Sequence, residues 1–220
     1  MAANDGGRCI KNKIIILLPL LFFGGLLPPA GASVNYKGID GLINIPSAYV
    51  RSSWKTGVGY FYANGGGVVA GNVNLPGDME LACKYKLDGC GLADGSYSLK
   101  IALLQEKILA PALAVGVEDL TGEERRAWYL AVSKQGPWGF RLHLGAKSAA
   151  GLFYGLEKQF KLKGDLRKMF PFIPLFTLML EYDGHSFNYG VYARNSRGMR
   201  VDFAWRGFDN RFMVGVQKEF

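Results

Sequence analysis

Trp138-Gly139-Phe140-Arg141-Leu142-His143-Leu144-Gly145-Ala146-Lys147 alternates without a break: each even position is apolar, and each odd position is Gly, Arg, His or Lys. A helix would scatter these residues around its axis, whereas a strand sorts them onto two faces. The same period of two recurs toward the C-terminus. Met199, Val201, Phe203 and Trp205 alternate with Arg200, Asp202, Ala204 and Arg206, and Phe187, Tyr189, Val191 and Ala193 with Asn188, Gly190, Tyr192 and Arg194. Phe212, Val214 and Val216 follow the plan, as do Trp128, Leu130 and Val132, and Leu113, Val115 and Val117. Toward the N-terminus so do Tyr97, Leu99, Ile101 and Leu103, then Met79, Leu81, Cys83 and Tyr85, then Val58, Tyr60 and Tyr62. Turn chemistry separates these runs, at Asn64-Gly65-Gly66-Gly67, Asp88-Gly89-Cys90-Gly91, Asp94-Gly95, Thr121-Gly122, Asp183-Gly184 and Asn195-Ser196-Arg197-Gly198. Roughly ten to twelve antiparallel strands are expected, many near the length of a barrel strand. Lys161 to Pro174 breaks the pattern and is expected to be a basic loop with room for a short helix.

An apolar face alone does not separate a sandwich from a membrane barrel, because it points into the core of one and at lipid in the other. The opposite face decides. It is rich in Gly57, Gly59, Ala82, Ala102, Gly116, Ala131, Gly139, Gly145, Gly155, Gly190, Ala204 and Gly215. Glycine weakens a strand unless space is short, as in a narrow lumen. Glu118, Arg141, His143, Glu157, Arg200 and Asp202 share that face and are the candidate lumen-facing polar residues, able to pair across it. Trp128, Trp138 and Trp205 near strand ends suit interfacial girdles, and Phe220 ends the chain as an aromatic, though Lys218 departs from an apolar terminal strand. The expected fold is therefore all-β, an antiparallel up-and-down outer-membrane barrel.

The first residues read differently. Arg8, Lys11 and Lys13 precede the apolar run Ile14 to Phe23, and Ala30-Gly31-Ala32 has the small-x-small pattern of a cleavage site. A spanning helix needs ~20 apolar residues, and this shorter run contains Pro19. Residues 1–32 are expected to be a signal peptide, 33–54 an N-terminal segment forming a strand or a plug, and 55–220 the barrel. The net charge of +8 invites a nucleic-acid reading, but export and the scatter of the basic residues argue against it. The expected partners are outer-membrane lipid and lipopolysaccharide, with polysaccharide and other envelope export proteins as further ones. Cys83 and Cys90 flank a short loop, which leaves a disulfide open in an oxidising compartment.

Tyr36-Lys37-Gly38-Ile39-Asp40-Gly41-Leu42-Ile43-Asn44-Ile45-Pro46-Ser47-Ala48 follows the leader. Its Gly38, Gly41, Leu42, Ile43, Pro46, Ser47 and Ala48 resemble the Gly-Leu-Ile-x-x-Pro-(Ser/Thr)-Ala opening of the YjbH-like exopolysaccharide-associated outer-membrane proteins. Leu180-Glu181-Tyr182-Asp183-Gly184 with Phe187-Asn188-Tyr189-Gly190, and Arg197-Gly198-Met199-Arg200-Val201-Asp202, are similar to that family as well. The resemblance implies an outer-membrane location and a link to secreted polysaccharide, and no catalytic residues. The chain is much shorter than the larger members.

The residues themselves offer little chemistry. There is no Gly-x-Ser-x-Gly elbow and no Gly-Lys-Ser/Thr after Gly65-Gly66-Gly67. Two histidines, His143 and His185, and isolated cysteines give no metal-ligand spacing. No cofactor and no metal site is expected. The leading functional expectation is a non-enzymatic barrel that assists export, assembly or anchoring of extracellular polysaccharide. A soluble periplasmic β domain binding glycan or an envelope protein, and a small barrel enzyme modifying envelope lipid, are the alternatives.

Overall fold

The computed structural model describes residues 34–63, 66–88, 91–162 and 175–220. Twelve strands form one meander that closes on itself. The first six are β1 (Thr56–Ala63), β2 (Gly66–Leu75), β3 (Met79–Asp88), β4 (Gly91–Leu104), β5 (Ala112–Glu118) and β6 (Ala127–Gln135). The second six are β7 (Phe140–Lys147), β8 (Gly151–Lys161), β9 (Leu175–Tyr182), β10 (Phe187–Arg194), β11 (Met199–Arg206) and β12 (Arg211–Glu219). Each strand pairs antiparallel with the next, and β1 pairs with β12 from Gly57↔Glu219 to Ala63↔Met213. Beyond that ladder Thr56 and Phe220 exchange backbone hydrogen bonds, Thr56 N–H to Phe220 O at 3.3 Å and Phe220 N–H to Thr56 O at 3.0 Å. The ring therefore has no free edge, which removes the aggregation liability of an open sheet. The two-sheet sandwich is not what the chain forms.

The alternation sorts the wall as its period requires. Leu144, Leu178, Phe203 and Tyr189 point outward and are each more than half exposed, at 57%, 51%, 54% and 53%. Leaving such a side chain in water forfeits roughly 1.5–3 kcal/mol each, so a belt of them around the whole ring is sustained by apolar surroundings. An aromatic girdle caps this belt at the far rim, where the β9–β10 and β11–β12 turns lie. Tyr154 stacks on Tyr182 at 5.2 Å, and Trp205 meets Phe212 edge-on at 4.5 Å. At the near rim, where residues 52–55 lead into β1 and the chain ends, Trp54 and Trp138 are exposed.

Two details differ from the sequence expectations, at Trp138 and at Asp94-Gly95, and the state of Cys83, which the sequence left open, is also seen. Trp138 is not in β7: it lies in a short 3-10 turn over Pro137–Gly139 with φ +56°, because Gly136-Pro137 ends the ladder. Asp94-Gly95 is not a turn but a bulge inside β4, where Tyr85 pairs with Gly95 and Lys86 with Ala93, with Asp94 at φ +45°. Cys83 is a free thiol on the outward side of β3. Cys90, the leader expected over residues 1–32, and most of the loop expected over Lys161 to Pro174 lie outside the described residues.

Candidate functional site

Side chains alone fill the interior of a barrel of about eight strands. Twelve strands leave room, and the chain fills it with its own residues Val34 to Arg51. Two tight loops form there, closed by bridges between Val34 and Asp40 and between Gly41 and Pro46. Asn35 knits them together: its Oδ1 accepts the N–H of Lys37 at 2.9 Å and of Ile39 at 3.2 Å, while its Nδ2 donates to Ile45 O at 3.3 Å. Gly38 sits at φ +92° in the first loop, and a Cβ there would lie 2.5 Å from the Cys83 carbonyl oxygen. Val34, Ile39, Leu42, Ile43, Ile45 and Ala48 are buried in one apolar cluster with Phe61, Phe153 and Met179 of the wall.

The glycines of the inner face make this possible. A Cβ on Gly155 would stand 2.7 Å from both Ile45 Cδ1 and Leu42 Cδ2, and one on Gly57 2.6 Å from Val34 Cγ2. Gly145 and Gly116 make room for the inward rings of Phe153 and Tyr129 in the same way. Gly155→Val is expected to push the apolar end of the plug aside, since overpacking a filled core costs about 1–3 kcal/mol. Limited proteolysis should then cut within residues 34–51 several-fold faster while the wall stays resistant.

Charged wall residues hold the plug by its backbone. Glu181 of β9 accepts three consecutive N–H groups, those of Ile43 at 2.9 Å, Asn44 at 2.8 Å and Ile45 at 3.4 Å. Asn188 of β10 donates to the same carboxylate at 2.9 Å. Glu80 of β3 accepts the Asp40 N–H at 2.7 Å and pairs with Lys100 of β4 at 2.7 Å. Lys100 also donates to Asp40 O at 3.1 Å, and the Asp40 carboxylate takes Arg51 Nε at 3.0 Å and Asn72 Nδ2 at 2.8 Å. Glu118 of β5 bridges Lys37 of the plug at 2.6 Å and Lys147 of β7 at 2.8 Å. Ser133 of β6 accepts the Ala48 N–H at 2.8 Å. In the β9–β10 turn, burial pushes the Asp183 carboxyl up. The Ser186 N–H, the Asn188 amide, the His185 N–H and the Asn44 amide outweigh it and hold the group below its ordinary value.

All six lumen candidates lie on the inner face, but in two groups. Glu118 belongs to the plug contacts. Arg141 and Glu157 pair at 3.5 Å between β7 and β8, and Arg200 pairs with Asp202 along β11 while its guanidinium stacks on the Tyr192 ring at 3.5 Å. His143, 2% exposed, has Nδ1 2.8 Å from Ser133 Oγ. Its Nε2 has no hydrogen-bond partner among the described residues. A Ser–His–acid set needs a carboxylate on the imidazole nitrogen away from the serine, and among the described residues none is there. Sequence reading missed Glu80, Lys100 and Glu181, which sit on the same inner face; each meets backbone groups of residues 40–45 far away in the chain, and Glu80 and Lys100 also pair with each other. The motif residues Gly41, Leu42, Ile43, Pro46, Ser47 and Ala48 all lie within the plug. Among the described residues no group of three or more metal-ligating side chains forms.

A closed, outwardly apolar ring around a self-supplied plug defines a membrane-type β-barrel. The chain belongs to the YjbH family, described as exopolysaccharide biosynthesis protein YbjH, whose profile matches residues 33–153. No curated protein matches the chain. Among solved structures, the chain is similar to the KdgM porin in complex with disordered oligogalacturonate, with TM-score 0.49 and 11% identity over 76% of this chain and 99% of that one. The KdgM porin alone gives TM-score 0.46 at 12% identity, over 76% and 99% of the two chains. A mutant Rh. blastica porin gives TM-score 0.36 at 15% identity, over 70% of this chain and 55% of that one.

Proposed function

We propose that this chain is a non-enzymatic outer-membrane barrel that assists export, assembly or anchoring of an extracellular polysaccharide. Membership of an exopolysaccharide biosynthesis family supplies the link to polysaccharide. The observation that carries the finer reading is the plug, whose buried apolar cluster and wall-bound backbone fill the ring. With that segment seated, the barrel serves polysaccharide as an anchor or assembly partner rather than as a standing conduit. The buried Ser133–His143 pair supports a structural role over a catalytic one, because the plug backbone at Ala48 occupies the serine oxygen.

Deleting the gene is expected to lower surface-attached polysaccharide severalfold, with export restored by the unaltered chain and by a His143→Ala variant. Unchanged surface polysaccharide in the deletion strain would overturn the assignment. Failure of His143→Ala alone, with the protein present at normal level in the outer membrane and shifting on heating, would instead return catalysis to consideration.

A further inference from the structure

The outward wall is not uniform. Across β4, β5 and β6 it carries an apolar groove of about 540 Å³, whose lining includes Leu99, Ile101, Val115, Val117 and Trp128. The register explains its shape. Leu99, Val117 and Trp128 lie in one row and Ile101, Val115 and Leu130 in the next, so each row is a short valine between two larger side chains. Val117 is only 3% exposed although its position faces outward, so it forms the floor. Trp128, its cross-strand partner on β6, is 66% exposed and stands clear of the wall. A hole and a knob thus lie side by side, one strand apart.

The loop that joins these two strands repeats the arrangement in charge. Residues 119–126 link β5 to β6 at the far rim. Glu123 and Arg125 are exposed there, and neither makes an ion pair among the described residues. Glu124 between them is drawn toward the lumen, by Lys84 at 2.7 Å and Lys86 at 3.2 Å. Arg126 is held within its own loop, where Nη2 donates to Leu120 O at 2.6 Å. One acid and one base are therefore left without a counter-charge, on either side of a single residue.

We propose that the β5–β6 face binds a second copy of this chain. The inference goes beyond the polysaccharide reading and rests only on the apolar belt facing lipid. Two copies inserted in the same orientation meet through the same face about a twofold axis parallel to the barrel axes, and such a contact has to be complementary to itself. An axis between β5 and β6 exchanges the two strands, and so sets Trp128 of each copy over Val115 and Val117 of the other. The same axis, passing close to residue 124, runs the two loops past each other in opposite directions. Glu123 of each copy then stands against Arg125 of the other. The two pairings come from different residues and different chemistry, yet one operator satisfies both. Lipid tails match this wall in polarity, so fit and charge select its occupant. A second copy offers a rigid indole for the hole and opposite charges at the rim.

Sedimentation equilibrium of the detergent-solubilised chain is expected to give the mass of two copies. Trp128→Ala removes both knobs and should weaken the pair by about thirtyfold. Glu123→Arg turns both rim contacts repulsive, as does Arg125→Glu, and each should weaken association by about tenfold. Mixing the Glu123→Arg chain with the Arg125→Glu chain converts those clashes into two attractive contacts. Differently tagged copies of the two, reconstituted together in bilayers, should therefore be captured as a mixed pair, while each alone is not captured with itself. A loss of fold in either variant would not produce that rescue. A chain that is monomeric in detergent and in bilayers would overturn the proposal and leave the groove to lipid. A pair indifferent to all three variants, or charge variants that mixing does not rescue, would overturn this face as the contact; the polysaccharide reading would stand in each case. Should Trp128→Ala lose the heat-dependent gel shift of a folded barrel, the charge variants, which lie in an exposed loop, decide the question.

Discussion

Glu181→Ala is expected to unseat the plug. The substitution leaves the buried N–H groups of Ile43, Asn44 and Ile45 without their acceptor, and strips Asn188 of one partner. Each orphaned buried donor costs about 1–3 kcal/mol, so the loss amounts to several kcal/mol concentrated on one short stretch of backbone. Two measurements read it. In planar bilayers the variant should show frequent conducting events where the unaltered chain shows few. On gels, the temperature of the heat-induced shift should fall by several degrees. Glu181→Gln keeps one acceptor oxygen and is expected to fall between the two. Conductance and gel shift both unchanged in Glu181→Ala would mean that the apolar cluster alone holds the segment.

Lys100→Met is expected to have the second large effect. Lys100 is fully buried and is the cation that Glu80 and the Asp40 carbonyl share. Removing it strands a buried carboxylate beside Asp40, and breaking a buried pair in this way costs about 3–5 kcal/mol. The denaturation midpoint in detergent should drop accordingly. Lys100→Met combined with Glu80→Met should recover part of that loss, since an apolar pair can replace a buried ion pair at little cost. Recovery should stop short of complete, because Glu80 also accepts the Asp40 N–H and the Asn72 amide. A double variant no more stable than the single one would show that Lys100 acts through packing and not through its charge.

Much of the wall could be read from the chain because a strand writes its two faces into alternate letters. Phe140 to Lys147, Met199 to Arg206 and Phe187 to Arg194 did so cleanly. β2 did not: Val68 and Val69 are adjacent, one facing each side, and Gly67 and Gly71 take outward positions that a larger side chain would mark. Asp94-Gly95 was misread because a bulge and a turn ask for the same left-handed backbone and so favour the same residues. The inner-face position of Glu118, Arg141, His143, Glu157, Arg200 and Asp202 could be read from the alternation; a functional role for them could not. The site itself was legible only as an unexplained excess of glycine and as a motif open to a strand or a plug. What joins the two is non-local. Ile43 meets Glu181 across 138 residues and Lys37 meets Glu118 across 81, and no local pattern encodes such a meeting.

The seam between β1 and β12 has a consequence for assembly. The filling segment is tethered to the ring through residues 52–55 alone, and the strand it runs into is the one that the last strand must find. Loading the interior and zipping the ring thus converge on one joint. A ring that zipped empty would leave the inward Glu181 with the Asn188 amide in place of the three backbone N–H groups of the segment, which favours seating residues 34–51 before the seam closes. On that order the β1–β12 ladder is the last to form, and the joint is where packing of the interior and closure of the wall become one event.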